Sequence, residues 1–272
     1  MCRISILTLV NGRGAALLNL LEGLKLSVLR PDELIVVFMN EPAKELPEMP
    51  FPVFDFEINA AGYLPLAAAR NLAASMASGD LLIFLDVDCI PAPDLIANYL
   101  SAGNQSCLLS GQVRYLKDLQ GHTLPGIEDL IASSASDPIR GGLEKITYEL
   151  FWSLNFACSK TTYQNIGGFD ESFQGYGGED TDFAFTAKRK GIPIELVEAT
   201  AFHQHHPSYS PPLNHLDEII SNAQYFYNKW SSWPMSGWLF KFQQLGLIAL
   251  QQGCIHKLRS PSPQEMQEAR KP

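Results

Sequence analysis

The chain has 272 residues, of which 46% are hydrophobic, and its formal net charge at pH 7 is −9. This length fits one large domain, or one domain with an extension, and the hydrophobic content is sufficient for a packed core. The acidic balance and the absence of a Lys/Arg cluster argue against a nucleic-acid partner, so any phosphate that the protein binds is expected to come with a metal ion.

The five cysteines are scattered along the sequence, and none lies in a C-x-x-C pair. They indicate neither a disulfide framework nor a zinc knuckle and fit the reducing cytosol, so we expect a cytoplasmic protein. The amino terminus has the pattern of a first strand and lacks the small-residue cleavage site of a signal peptide. No segment approaches the roughly 18 continuous apolar residues of a membrane span.

Predicted strands and helices alternate through the first third of the chain. The strands cover residues 4–10, 34–39, 52–58 and 81–85, and one helix follows the first of them and another the third. The first helix has leucines at helical spacing and the second is rich in alanine. This β-α-β-β-α-β order predicts an α/β fold with a mostly parallel sheet flanked by helices.

The turn after the first strand contains glycine and therefore invites comparison with nucleotide-binding loops. Its sequence, Asn11-Gly12-Arg13-Gly14, matches neither the dinucleotide fingerprint nor the P-loop. A nucleotide that rests on the backbone of this turn and a plain strand-to-helix turn are both compatible with the pattern.

An apolar run at residues 81–85 ends in two carboxylates, Asp86 and Asp88, with Val87 between them. Five consecutive apolar residues predict a strand that is buried on both faces, so the carboxylates fall at its carboxyl end, where open α/β sheets bind ligands. Two acidic side chains this close repel each other unless a cation offsets their charge, and oxygen ligands favour Mg²⁺ or Mn²⁺. A strand followed by a solvated turn is the alternative.

The middle of the chain, residues 111–147, carries the weakest patterns. A helix to about residue 101 and a strand at 107–110 precede it. Small residues at 133–142 predict a mobile segment, either a lid over a ligand or an ordinary surface loop.

A glycine-rich run at residues 167–178 leads into three carboxylates, Glu179, Asp180 and Asp182. Acidic residues at the start of a helix are also favoured simply by the helix dipole. Further negative charge near Asp86 and Asp88, however, raises the electrostatic cost unless a cation or a proton-transfer role offsets it.

Three histidines, His203, His205 and His206, follow a predicted strand at 194–198. Neutral imidazole binds divalent first-row metals well, so this cluster is a candidate source of metal ligands. Manganese is favoured over zinc because no cysteine pair accompanies the histidines.

The carboxyl-terminal residues 208–258 predict a helical extension with several tryptophans. The favoured interpretation is that two helices pack on the preceding domain. A peripheral membrane or partner contact through the Trp-rich segment is the alternative, although the segment lacks the dense Lys/Arg that anionic membranes attract. Residues 259–272 predict a flexible tail.

Taken together, the ordered motifs resemble family 2 glycosyltransferases of the GT-A fold, over about residues 4–207. The matching pieces are the first strand, Ala69-Arg70-Asn71-Leu72-Ala73, the acidic pair, Gly167-Gly168-Phe169-Asp170, Gly178-Glu179-Asp180-Thr181-Asp182-Phe183 and His203. The run Tyr176-Gly177-Gly178-Glu179-Asp180 is also similar to the β-1,4-galactosyltransferase and chondroitin polymerase branch. The resemblance implies a catalytic domain at 1–207, with a nucleotide-sugar half at about 1–110 and an acceptor half at about 111–207.

The resemblance also implies a metal and a base. Mn²⁺ or Mg²⁺ would be held by Asp88 and a later histidine, for which His203 aligns best and His206 or His205 is an alternative; Asp86 would bind the ribose or the same ion. The ion would act as a Lewis acid on the leaving diphosphate of a nucleotide-diphosphate sugar. Asp180 would deprotonate the attacking hydroxyl, and the in-line displacement would invert the anomeric configuration.

The remaining implied roles concern the two substrates, a nucleotide sugar and a saccharide, lipid-linked or small-molecule acceptor. Acceptor contacts fall to Glu179, Asp182, Tyr176 and Gly178, with Tyr176 stacking on a sugar ring and Glu179 and Asp182 binding hydroxyls or holding the loop. Nucleotide contacts fall to Thr8, Val10, Asn11, Asn40, Arg70, Asp86 and Val87.

The sequence departs from the family pattern in three respects. The first strand ends in Leu9-Val10-Asn11 instead of the usual Pro-Thr-Tyr-Asn. Asn40 follows the second strand where many members carry an acidic residue that binds uracil or ribose, so the expectation of UDP requires Asn40 to hydrogen-bond the base or ribose instead. No Gln-x-x-Arg-Trp motif of processive synthases occurs, which favours a single transfer per encounter. A nucleotidyltransferase and a catalytically silent sugar-nucleotide or glycan-binding protein are the alternative functions.

Overall fold

A computed structural model of the protein describes residues 2–103, 106–117 and 126–271. The strands are β1 Ile4–Val10, β2 Glu33–Met39, β3 Val53–Ile58, β4 Leu81–Leu85, β5 Cys89–Pro91, β6 Leu108–Leu116, β7 Ser134–Ser136, β8 Asn155–Ser159, β9 Ile194–His203, β10 Ser208–Tyr209, β11 Ile248–Gln251, β12 Cys254–Lys257 and β13 Arg270–Lys271. The helices are α1 Gly14–Lys25, α2 Leu66–Met76, α3 Leu95–Ala102, α4 Ile127–Ala132, α5 Lys160–Ile166, α6 Glu179–Arg189, α7 Leu216–Trp230, α8 Ser236–Gln244 and α9 Pro263–Ala269.

One large sheet, in the order β3-β2-β1-β4-β8-β6-β9-β5, organises the described residues. Strands β1 to β4 are parallel, β8 runs antiparallel to β4 and β6, and β6 and β9 are parallel. Helices α1 and α3 cover one face and α2, α5 and α6 the other. Because both faces are covered, β1, β2 and β4 are buried at every position, as their apolar runs predict. The predicted α/β class is confirmed.

The segment predicted to be mobile is ordered where the structure describes it. Strand β7 pairs with β6, and Asp137 and Arg140 form a buried ion pair with a 2.9 Å Nε–Oδ2 distance. The Arg140 guanidinium lies over the Trp152 ring, 4.3 Å from its centroid. The small-residue composition of this segment did not indicate these contacts, because they involve distant residues or the two charged residues within it. The rest of the weakly patterned region includes residues 118–125, which lie outside the described ranges.

The carboxyl-terminal region contains helices α7 and α8, as expected, but also a hairpin of β11 and β12. Instead of the flexible tail predicted from residue 259, the structure has α9, whose Ala269 is buried, and β13, which pairs with β10. A capping box formed by Ser262 and Glu265 begins α9. No helix in the described ranges is both long and apolar enough to cross a membrane.

Helix α7 holds the start of α6 through one buried carboxylate. Asp182, which is 1% exposed, accepts hydrogen bonds from Lys229 Nζ at 2.9 Å and from Trp230 Nε1 at 2.7 Å. Of the two roles predicted for Asp182, this geometry supports holding the loop rather than binding an acceptor, because both carboxylate oxygens are engaged inside the protein. The carboxyl-terminal helices are therefore part of the scaffold of the glycine-rich loop.

Replacing Asp182 with Ala is expected to lower the free energy of unfolding by about 2–4 kcal/mol, because Lys229 and Trp230 lose a buried acceptor. Urea denaturation measures the change. The control is Asp217→Ala, which removes an exposed ion pair with Lys257 and should cost less than about 1 kcal/mol. Equal losses in the two variants would contradict a structural role for Asp182.

Candidate functional site

The acidic pair lies at the carboxyl end of β4, in a tight turn that leads into β5. The Asp86 amide donates to the Leu154 carbonyl at 2.9 Å, and the Cys89 amide donates to the Asp86 carbonyl at 2.8 Å. Strand β5 then pairs antiparallel with the end of β9, which places Cys89 opposite His203. The predicted strand at 194–198 in fact continues to His203, so the histidine is fixed by sheet pairing next to Asp88.

Asp88, His203 and His206 form a cluster of potential metal ligands. One ligand atom of each lies within 4.8 Å of the others. His203 Nε2 is 3.5 Å from Asp88 Oδ1, and His206 Nε2 is 3.6 Å from Asp88 Oδ2. His205 is exposed and does not belong to the cluster, and neither does Asp86. The geometry thus distinguishes between histidines that the sequence leaves open.

The cluster fits a divalent cation in its chemistry. Asp88 is 7% exposed, and its Oδ1 accepts no hydrogen bond within the described part of the chain. A buried carboxylate oxygen without a donor is costly unless a ligand satisfies it. Burial lowers the pKa of His206, which favours the neutral imidazole that binds metals. One carboxylate and two imidazoles suit a first-row ion such as Mn²⁺.

Two residues that were not predicted from the sequence support this cluster from neighbouring segments. Arg13, in the turn after β1, makes an ion pair with Asp88 Oδ2, and its Nη2 lies 3.4 Å from His206 Nδ1. Gln204 donates to the Ala16 carbonyl at 3.0 Å and thereby ties the end of β9 to helix α1. The turn at Arg13 was visible in the sequence, but nothing local indicated which side chain it would contact.

Arg70 connects the acidic pair with the glycine-rich loop. It is 5% exposed, and its guanidinium lies 3.6 Å from Asp86 Oδ1 and 3.2 Å from Glu179 Oε1. The Phe169 ring packs against it, with 5.1 Å from Cζ to the ring centroid. Arg70 thus links two motifs that are distant along the chain, and the nucleotide contact expected of it stays a prediction.

Helix α6 begins immediately after Gly178, whose φ of +93° is a left-handed conformation that favours glycine. Glu179 is buried, and its Oε2 has no hydrogen-bond partner among the described residues. Burial, followed by the nearby Glu179 carboxylate, raises the pKa of Asp180 to about 7, although Arg70 opposes the shift. A carboxylate of this pKa can take up a proton near neutral pH.

Tyr176 lies on the same loop and is 38% exposed. Its ring stacks on His215 at 4.5 Å and on Trp238 at 5.8 Å between centroids, and its amide donates to Glu218 Oε2 at 2.8 Å. The carboxyl-terminal helices therefore build an aromatic surface around the residue predicted to stack on a sugar.

The residues predicted to contact a nucleotide differ in accessibility. The side chains of Thr8 and Val10 are fully buried in the sheet, and Val87 is 6% exposed, so a nucleotide contact at these three positions stays a prediction. Asn11 donates to the Met39 carbonyl at 2.7 Å, and Asn40 binds the backbone of residues 60 and 63. The side chains of Asn11 and Asn40 are thus engaged with the protein backbone. Near the first turn, a nucleotide would mainly find backbone groups to contact.

Comparison with known proteins identifies the family and the fold of the chain. The model of the family described as "Glycosyltransferase like family 2" matches residues 57–200. Validoxylamine A glucosyltransferase of Streptomyces hygroscopicus subsp. jinggangensis is 25% identical over 187 residues, covering 57% of this chain and 44% of that protein. Chondroitin synthase of Escherichia coli is 26% identical over 173 residues, covering 52% of this chain and 25% of that protein.

A crystal structure of GalNAc-T7 with UDP, GalNAc and Mn²⁺ has a similar fold, with a TM-score of 0.58 at 18% identity over 84% of this chain and 50% of that one. The chain spans less than half of the length of the two curated relatives named above. The family match covers more than half of the chain, and the sheet has the arrangement of GT-A enzymes. The protein therefore belongs to the family 2 glycosyltransferases and has the GT-A fold.

Proposed function

We propose that the protein is an inverting glycosyltransferase that moves a sugar from a nucleotide-diphosphate sugar, expected to be a UDP-sugar, to an acceptor hydroxyl. The observation that carries the proposal is that Arg70 pairs with Asp86 and Glu179, and so joins the turn that carries Asp88, a member of the ligand cluster, to the helix start that carries Asp180. A cation site for a diphosphate and a carboxylate suited to proton uptake are the two functions that such a transfer requires.

In this proposal Asp88, His203 and His206 hold a divalent ion, with Mn²⁺ expected. When bound, the ion would offset the negative charge that develops on the leaving diphosphate. The relative crystallised with Mn²⁺ and UDP supports this choice of metal and nucleotide. Asp86 is held by Arg70 at 3.6 Å, an arrangement that favours a contact with the ribose over a direct contact with the ion.

Asp180 acts as the general base. Its carboxylate accepts the proton of the acceptor hydroxyl while that oxygen attacks the anomeric carbon from the face opposite the diphosphate. Glu179 is anchored by Arg70 through one oxygen and offers the other, Oε2, to an acceptor hydroxyl. Tyr176 presents its exposed ring for stacking on a sugar. The inverted configuration follows from a single in-line displacement.

Replacing Asp180 with Asn should lower the transfer rate by roughly 100-fold or more, because the amide cannot accept the proton. Nucleotide binding with Mn²⁺ should be retained. Rates with UDP-sugars are measured by the release of UDP, with Asp217→Asn as a control at an exposed site. Transfer by the Asp180 variant at a rate near that of the wild type would contradict the assignment of the base.

The pH dependence of transfer follows from the same carboxylate. With a pKa of about 7, Asp180 is protonated and inactive as a base in acid, so kcat/KM should rise as the pH increases and level off above neutrality. A profile from about pH 5 to pH 9 tests this. A rate that already levels off near pH 5 would mean that the base has an ordinary carboxyl pKa.

The raised pKa of Asp180 also has a cost in stability. Between the unfolded carboxyl pKa and about 7 the folded chain binds more protons than the unfolded chain, so stability falls as the pH rises through this window. Asp180→Asn should therefore be more stable than the wild type at pH 8, by about 1–3 kcal/mol, and the difference should shrink below pH 4. Urea denaturation at both pH values measures it, and a variant of lower stability at pH 8 would contradict the shift.

Single substitutions of the histidines test the metal site. His203→Ala and His206→Ala should each weaken Mn²⁺ binding by about tenfold or more, because each removes one ligand of three. The exposed neighbour His205 provides the matched control, and His205→Ala should leave the affinity unchanged. Calorimetric titration with Mn²⁺ compares the three. The site is misassigned if His205→Ala has the largest effect.

A further inference from the structure

Arg13 places a positive charge inside the proposed metal site. Its Nη1 makes an ion pair with Asp88 Oδ2, and its Nη2 lies 3.4 Å from His206 Nδ1. Both partners belong to the ligand cluster. The guanidinium therefore neutralises the same carboxylate oxygen that a divalent ion would use, and two cations cannot share that position because like charges in contact repel.

Within the described ranges, the hydrogen bonds and the ion pair of the Arg13 side chain are all with Asp88 and His206. It is 38% exposed, and its residue lies in the turn between β1 and α1, outside the hydrophobic core. The turn itself is fixed separately, since the Gly12 amide donates to Glu41 Oε2 at 2.8 Å. Rotation of this partly exposed side chain would take the guanidinium away from Asp88 while the hydrogen bond from Gly12 to Glu41 holds the turn.

A donor substrate offers Arg13 a new partner at the same edge of the sheet. A diphosphate bound to an ion on Asp88 would bring phosphate oxygens near the present position of the guanidinium. The planar guanidinium binds two phosphate oxygens at once and is the preferred side chain for such contacts.

We infer that Arg13 blocks the metal site of the free protein and moves to the diphosphate of the donor when metal and nucleotide bind, so that the two ligands bind cooperatively. This inference rests on the proposed function, because it takes the ligand cluster as the metal site of the transfer. By linkage, the free energy by which the nucleotide assists the metal equals that by which the metal assists the nucleotide.

The first test measures Mn²⁺ binding in the absence of nucleotide, with free Mn²⁺ followed by electron paramagnetic resonance. Arg13→Gln should bind Mn²⁺ about tenfold more tightly than the wild type, a coupling of ordinary size. Lys25→Gln is the charge-matched control, since Lys25 lies at the other end of α1 in an exposed pair with Glu22. It should behave as the wild type. Unchanged or weaker Mn²⁺ binding by Arg13→Gln would overturn the inference.

The second test measures UDP and GDP binding by equilibrium dialysis, at a Mn²⁺ concentration that saturates every variant. Arg13→Gln should bind the preferred nucleotide about tenfold more weakly than the wild type, and Arg13→Lys, which keeps the charge but loses the fork, should fall between them. Equal affinity in the wild type and Arg13→Gln, or no binding of either nucleotide, would overturn the inferred movement of the Arg13 guanidinium to the diphosphate.

These outcomes are separable from the proposed function. If the shifts in Mn²⁺ and nucleotide affinity appear but the wild type transfers no sugar, the glycosyltransferase proposal fails and the role of Arg13 stands. If the wild type transfers sugar but Arg13→Gln leaves both affinities unchanged, the inference fails and the proposed reaction stands.

Discussion

Compensation of negative charge is the constraint on which this site depends. The structure gathers Asp86, Asp88, Glu179 and Asp180 at the end of a covered sheet, where their repulsion is weakly screened. Arg70 offsets part of it by contacting Asp86 and Glu179 together, and this contact joins the turn after β4 to the start of α6. Burial, and after it the Glu179 carboxylate, raises the pKa of Asp180, which makes no ion pair among the described residues. The burial and charge crowding that disfavour ionisation would give the proposed transfer a base that works near neutral pH.

Much of the fold can be predicted because its signals are local. The apolar runs of β2 and β4 are long enough for buried strands, and the acidic pair must then fall at the carboxyl end of β4. The glycine-rich run and the carboxylates of α6 likewise stand next to each other in the sequence. When a short motif contains both the turn and the functional group, the position of that group can be predicted without knowing which distant residues it contacts.

The remainder depends on pairings between distant segments. His203 is selected over His205 because β9 extends further than its sequence pattern and pairs with β5. Arg13 contacts Asp88 because the ends of β1 and β4 lie side by side in the sheet, and no sequence pattern in either segment indicates this contact. Helix α9 is a different case: the capping box at Ser262 was a local signal, and the polar composition of the tail concealed it.

The anchoring of Asp182 by helix α7 has a consequence for chimaeric proteins. The match to the family ends at residue 200, yet Lys229 and Trp230 hold the carboxylate that fixes the start of α6. A recombination point at residue 207, the domain boundary predicted from the sequence, would take the start of α6 from one parent protein and the supporting helix α7 from the other. A graft that extends through α7 keeps the loop and its support together, and exchange of α8 alone would alter the aromatic surface at Tyr176 while leaving the support of α6 intact.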